Sequence, residues 1–324
     1  MRTSSPIWLF GVALAVLLAC AVGVAQQGDE QIADPDFKPA VDRPAYTSVR
    51  PLVVLDETHG NFHTASGRYK PFADLLQADG YRITAGTQLF TAAALQKTQV
   101  LVIANALGVG ITAANINDPP PAFTDAECDT VRDWVRGGGS LLLIADHAPF
   151  GATAATLALR FGVEMGKGYA WTVSNNSPEP STTIAYSRQN GTLGDHAITR
   201  GITRVVAFTG QSLSVPPGAT ALLRFGDGAY ESAGANTQAD MEAFRDGKPN
   251  AARKVTGRAQ GLAFDYGKGR LVIMGEAAMF SAQVARFTDP SGRRNEIKMG
   301  MNVPGNDNQQ FLLNIMHWLT RFGE

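Results

Sequence analysis

Residues 56–69 read DETHGNFHTASGRY and hold two of the chain's five histidines, His59 and His63, beside Asp56, Glu57, Asn61 and Arg68. Imidazole and carboxylate are the side chains that hold divalent metals and move protons near neutral pH. Two histidines four apart fall on one face of a helix, the arrangement of H-E-x-x-H metal sites. Gly60, Asn61 and Thr64 are poor helix residues, however, so the stretch reads as a loop. A second group, Asp146-His147, stands in IADHAPF, and an acid, Glu276, ends RLVIMGE. The candidate catalytic set is therefore His59, His147, Asp146 and Glu276, with Glu57, Asn61, His63 and Arg68 as ligand contacts. His59, His63 and His147 are the candidate ligands of a divalent metal such as zinc, which would lower the pKa of a bound water. Their spacing matches no standard zinc signature. Three readings stand side by side: a metal site, a metal-free polar pocket with a general base, and helix caps with strand-end hydrogen bonds.

The elements around these residues explain why they meet. PLVVL, QVLVIANA and SLLLIA are continuous apolar runs, as strands buried on both faces require. Between them lie helix patterns. GRYKPFADLLQADG aligns Tyr69, Phe72, Leu75 and Leu76, with a start near Gly67 or Arg68. TAAALQK is a short helix, and Thr124-x-x-Glu127 is a capping box opening DAECDTVRDWVRGGG. Strands alternating with helices predict an open, mainly parallel sheet with helices on both faces. In such a sheet ligands bind beyond the carboxyl ends of the strands, where the Asp56, Asp146 and Glu276 groups fall. In the second half WTVSNN, TTIAYS, VVAFTG and ALLRFGD read as strands, some antiparallel, and 226–256 as an exposed loop. GLAFDYGKGRLVIMGEAAMF reads as a hairpin leading into a helix, and 307–322 as a final helix capped by Asn306 or Asp307. His317, within that helix, reads as structural, and Cys128 as a half-buried thiol without a disulfide partner.

Several functions are excluded. A formal net charge of −1 offers no basic surface for nucleic acid. No G-x-S-x-G elbow frames Ser212 or Ser214, and neither a P-loop nor a G-x-G-x-x-G follows the first strand. The glycines of RGGGS precede a strand, the wrong side for phosphate. The expected partner is a small-molecule or glycan-like ligand. At the N-terminus Arg2 precedes an apolar stretch from Ile7 to Val24, the form of a signal peptide over residues 1–25. Gly23-Val24-Ala25 suits ordinary cleavage, while Leu17–Cys20 (LLAC) matches a lipobox; a retained anchor is the alternative. The expected organisation is this segment, a polar linker or surface arm over 26–50, and one α/β domain over 51–324. The chain is expected to be exported, periplasmic or secreted or lipid-anchored through Cys20, with no integral membrane domain after cleavage.

VRDWVRGGGSLLLIADH, DHAITRGI, GKGRLVIMGEAAMFS and NDNQQFLLNIMHWL together resemble the class I glutamine amidotransferase-like superfold in its non-amidotransferase branches. Those include ThuA-like and GldG-like domains and a bacterial family of unknown function. The resemblance spans roughly residues 50–322 and implies a flavodoxin-like open sheet with antiparallel additions in the C-terminal half. An amidotransferase would place its cysteine at the turn after SLLLIA, where this chain has Asp146-His147-Ala148. Without that thiol no glutaminyl thioester forms. ThuA-like proteins carry a histidine near this turn, which His147 matches, and that branch is associated with sugar metabolism. Fold does not fix function, so the functional expectation rests on the residues: a hydrolase in which His59, His63, Asp146, His147 and Glu276 converge on one pocket and act on a sugar- or peptide-like substrate, or a non-catalytic envelope ligand-binding or interaction protein.

Overall fold

The structure is a computed structural model and describes residues 30–174, 177–288 and 291–324. The expected signal segment, 1–25, and the first residues of the arm lie outside the described residues. Among the described residues, no helix is long and apolar enough to cross a membrane.

The centre is a seven-stranded sheet. Its strands are β1 (Leu52–Asp56), β2 (Arg82–Gly86), β3 (Val100–Ala104), β4 (Ser140–Ile144), β5 (Thr220–Arg224), β6 (Ala259–Tyr266) and β7 (Gly269–Met274), in the spatial order β5-β6-β7-β4-β3-β1-β2. The five strands β7, β4, β3, β1 and β2 are parallel neighbours, and β6 and β5 add antiparallel pairs at one edge. The expected α/β class, with a mainly parallel sheet and antiparallel additions later in the chain, is what the molecule has.

The apolar runs work because each strand divides its side chains between two cores, alternating at the period of two. Val100, Val102 and Ala104 of β3 join one core, with α1 (Lys70–Ala78) and α4 (Asn308–Leu319). Leu101 and Ile103 join the other, with α2 (Asp125–Gly137) and α3 (Phe150–Leu159). Both sides being covered, β3, β4 and β7 are buried at every position. Tyr69, Phe72, Leu75 and Leu76 form the buried stripe that the helix pattern requires, although α1 starts at Lys70, just beyond the expected Gly67 or Arg68. The Thr124 capping box is complete at the head of α2.

Two expectations fail for physical reasons, and a third is met by one of its two candidates. Residues 226–256, read as an exposed loop, contain the strand Ala229–Ser232, the helix Thr237–Arg245 and the short strand Arg253–Lys254. The apolar contacts there are aromatic: Trp171 stacks on Tyr230 and meets Phe244 edge-on. After β7, GEAAMF makes a single 3₁₀ turn, Ala278–Phe280, and the chain then enters the strand Ala282–Thr288. Glu276 captures the amides of Ala278 and Met279 with its own carboxylate and fixes that turn. Of the two candidate caps of the last helix, Asn306 Oδ1 accepts from its first amide, Asn308 N, while the Asp307 side chain accepts instead from the amides of Thr203 and Arg204.

The polar arm is more than a tether. Glu30–Ala33 pairs antiparallel with Ala282–Thr288, which pairs in turn with Arg294–Gly300. This three-stranded sheet brings Gln31 and Gln283 to the carboxyl-end side of the central sheet, into one cavity with residues that follow β1, β3 and β4.

Candidate functional site

Four adjacent parallel strands deliver the site. Beyond β1 come Asp56, His59 and His63; beyond β3, Asn105; beyond β4, Asp146 and His147; beyond β7, Glu276. The chain runs from β1 to the edge strand β2 and then back across to β3, so the sheet's topological switch lies between β1 and β3. Asn105 leaves β3 with φ of 50°, a left-handed conformation that asparagine tolerates better than most residues. There its amide donates to Ile144 O, and its side-chain oxygen accepts from Asp146 N at 2.9 Å.

A cavity of about 20 Å³ lies at this end, lined among others by Phe62, His63, Asn105, Asp146, His147 and Phe150. That is room for about one water molecule. The His147 ring stacks on Tyr169, with centroids 4.3 Å apart. Its Nδ1 stands 2.8 Å from Ala148 O, and a carbonyl only accepts, so Nδ1 carries hydrogen. In the neutral ring the lone pair therefore belongs to Nε2. Asp146 Oδ1 accepts the amide of His147 at 2.7 Å. Burial raises the Asp146 carboxyl above the usual carboxylate range; the His147 charge, the His147 and Ala277 amides and the Asn105 side chain pull the other way.

Glu276 sits behind Asp146, fully buried, and accepts from the amides of Ala278 at 2.7 Å and Met279 at 2.8 Å. Burial holds its carboxyl well above the usual range, and the neighbouring Asp146 charge adds to the effect. A charge on Asp146 thus disfavours a second charge on the buried Glu276. Gln211 was not legible as a site residue, yet its Nε2 donates to Ala145 O and Asp146 O, and its Oε1 accepts from Lys167 N. It holds the turn that aims Asp146. Gly151 leaves room for it, since a Cβ there would stand 2.2 Å from Gln211 Oε1.

The two histidines of DETHGNFHTASGRY part company. His63 is buried against Tyr69, ring centroids 4.4 Å apart, and lines the cavity. Its Nδ1 has no hydrogen-bond partner. Burial pushes the His63 imidazole well below the usual histidine range, and the charges of Arg68 and His147 push the same way. His59 turns elsewhere. Its Nδ1 stands 2.9 Å from Asp56 Oδ2, its Nε2 stands 2.9 Å from Glu127 Oε1, and Phe90 and Phe123 pack on the ring. Burial lowers the His59 pKa, but the hydrogen bonds and charges of Asp56 and Glu127 outweigh it and leave a net rise. Glu127 is also the capping-box residue of α2, and its partners hold it below the usual carboxylate range in spite of burial.

This geometry separates His59 from the catalytic and metal-ligating roles expected of it, because both ring nitrogens are already committed to carboxylates. The expected trio of His59, His63 and His147 does not converge. Among the described residues, no three His, Cys, Asp or Glu side chains form a set that could hold a metal ion, so the donor set does not fit zinc. The other expected contacts brace the loop. Glu57 Oε1 accepts from Ala65 N, Asn61 Oδ1 accepts from His59 N, and Arg68 lies over Phe62 while donating to Gln31 O. Beyond the site, His317 pairs with Asp79 at 2.6 Å, and Cys128 is fully buried, its thiol pushed up to about 11 by burial.

No family model and no curated protein matches the chain. Among solved structures, the mmIFT52 N-terminal domain matches with a TM-score of 0.56 and 15% identity, over 84% of this chain and 99% of that one. A ThuA-like protein from Bacteroides uniformis ATCC 8492 aligns over 87% of this chain and 94% of its own, at 11% identity and a TM-score of 0.42. The exo-β-1,4-mannosidase Op5Man5 from Opitutaceae bacterium strain TAV5 aligns over 70% of this chain and 31% of its own, at 15% identity and a TM-score of 0.34. At these identities the likeness is one of fold, and the chain has the class I glutamine amidotransferase-like α/β fold with Asp146-His147 at the strand-end turn.

Proposed function

We propose that the cavity is the acid–base site of a metal-free hydrolase acting on a small glycan- or peptide-like substrate, in a protein exported from the cell. The orientation of His147 carries this reading. With Nδ1–H committed to Ala148 O, Nε2 is the free lone pair of a ring that lines the cavity. A general base needs that lone pair within reach of a water or hydroxyl. Asp146 lines the same cavity, and its carboxyl is raised, the condition under which a carboxylic acid holds a proton to deliver. His147 then takes the proton of the attacking water, and Asp146 returns one to the leaving group. Glu276 lies outside the cavity lining and serves as a positioning residue, holding the turn whose Ala277 amide bonds Asp146. Export rests on the Arg2 and Ile7–Val24 stretch.

The size of the cavity favours a second reading, a non-catalytic binding pocket that seats one small polar group. The two are separated by assaying the purified full chain on panels of chromogenic glycosides, esters and peptides. Turnover that falls by about 10²–10⁴-fold in His147→Gln, with unchanged thermal stability, supports the hydrolase. Turnover that survives His147→Gln removes His147 from the chemistry, and ligand binding with no turnover leaves only the binding pocket.

A further inference from the structure

Three buried polar atoms without a hydrogen-bond partner belong to residues lining this one cavity: His63 Nδ1, Gln31 Oε1 and Gln283 Nε2. A buried polar atom left unpaired is unfavourable, so their concentration at one place points to a ligand. The two glutamines come from strands paired across the three-stranded sheet and are buried, Gln283 completely. Gln31 Nε2 donates to Gln283 Oε1 at 2.8 Å. That single bond consumes one half of each amide and leaves an acceptor on one and a donor on the other. If both amides turn over, the bond inverts, and the pair still offers one free acceptor and one free donor. We propose that Gln31 and Gln283 are specificity-determining residues that select a neutral hydroxyl group and reject carboxylates and ammonium groups.

The selection follows from hydrogen-bond inventory. A hydroxyl donates to the free carbonyl while accepting from the free N–H. A carboxylate has nothing to give the carbonyl, and an ammonium group has nothing to offer the N–H. Either ion would also lose its hydration in a cavity with room for about one water-sized group. A site built to hydrogen-bond a hydroxyl discriminates strongly because its own polar groups are otherwise stranded. The inference rests on the reading of this cavity as a ligand site, and it holds whether or not the ligand is turned over.

The test uses the full chain, ¹⁵N-labelled at glutamine, and three probes of one size with one polar group each: ethanol, acetate and ethylammonium. At constant ionic strength, ethanol is expected to move the Gln31 and Gln283 side-chain amide resonances saturably, with an apparent affinity at least about tenfold above either ion. Gln283→Glu removes the free donor and should weaken ethanol by about tenfold while ethylammonium overtakes it. Where that variant does not fold, Gln283→Met, which keeps the length and removes the amide, should lose the ethanol response at Gln31. No response to ethanol, acetate binding as well as ethanol, or an unchanged ethanol response in a folded Gln283 variant overturns the proposal. Since this readout needs no turnover, an inactive protein that still selects ethanol removes the hydrolase alone, and an active one that does not discriminate removes the selection alone.

Discussion

His59 and His63 lie four residues apart in one loop and live in opposite chemical states. His59 is held between Asp56 and Glu127, with both ring nitrogens engaged and two aromatic rings around it. His63 is equally buried but has an empty Nδ1 and a depressed pKa. Both are almost shut off from solvent and burial disfavours the charge on each, but His59 has two carboxylates to oppose it and His63 has none. A histidine given two carboxylates becomes a cationic clamp joining the first strand's loop to the head of α2. One given only stacking partners stays neutral and available. Residue type marks both as candidates; only the satisfied hydrogen bonds tell clamp from site.

Removing each histidine should widen that contrast most. His59→Ala leaves Asp56 and Glu127 buried with no cation between them, and stability should fall by about 3–5 kcal/mol in chemical denaturation. His63→Phe keeps the stacking on Tyr69 and removes an unpaired polar atom, so the same measurement should change by less than about 1 kcal/mol, in either direction. Equal losses would erase the distinction.

The pH dependence should split the pair next. His59 has its pKa raised above the ordinary 6.5, so its contribution is complete below that value and lost as pH rises through the folded-state pKa. His63 has its pKa lowered, so the unfolded chain takes up the proton first, and stability falls as pH drops below about 6.5. Denaturation curves from pH 5 to 9 should show the cost of His59→Ala shrinking toward the alkaline end. They should show His63→Phe turning more favourable toward the acid end. Parallel curves for the two variants would remove the assigned charge states.

A smaller effect reaches the clamp from its far side. Thr124 Oγ1 donates to Glu127 Oε2 at 2.8 Å and accepts from Glu127 N at 3.3 Å. Thr124→Ala should cost about 1 kcal/mol as a lost cap, and a double-mutant cycle with His59→Ala should show coupling, because both act on one carboxylate. Strict additivity would mean that Glu127 serves its two partners independently. The smallest effect is expected from chelation: with no three-ligand set among the described residues, excess EDTA should leave the midpoint of thermal unfolding unchanged. A fall of several degrees would return metal to the loop.

How much of this was legible in the sequence depends on distance along the chain. VLVIA and SLLLI announce buried parallel strands because burial on both faces demands unbroken apolar runs, and T-x-x-E announces α2 because its capping bonds are local. His59's partner Glu127 is 68 residues away, and Gln31 meets Gln283 across 252. No local pattern encodes such pairings. The polar composition of 26–50 suggested an arm, but only strand pairing makes it a wall of the cavity. GEAAMF failed as a helix because Glu276 spends its carboxylate on the two amides that follow. The helix Thr237–Arg245 was hidden in polar sequence because its apolar partner, Trp171, arrives from another part of the chain.

The wall contributed by Gln31 has a consequence for the order in which the molecule is made. Gln283 is made 252 residues after Gln31, so no nascent chain that stops short of residue 283 can hold the complete cavity. The strand Glu30–Ala33 must wait for Ala282–Thr288, a closure of the slow, non-local kind. The cavity is therefore completed only after residue 283 has been made, and a product truncated before it lacks this wall even where its central sheet has formed.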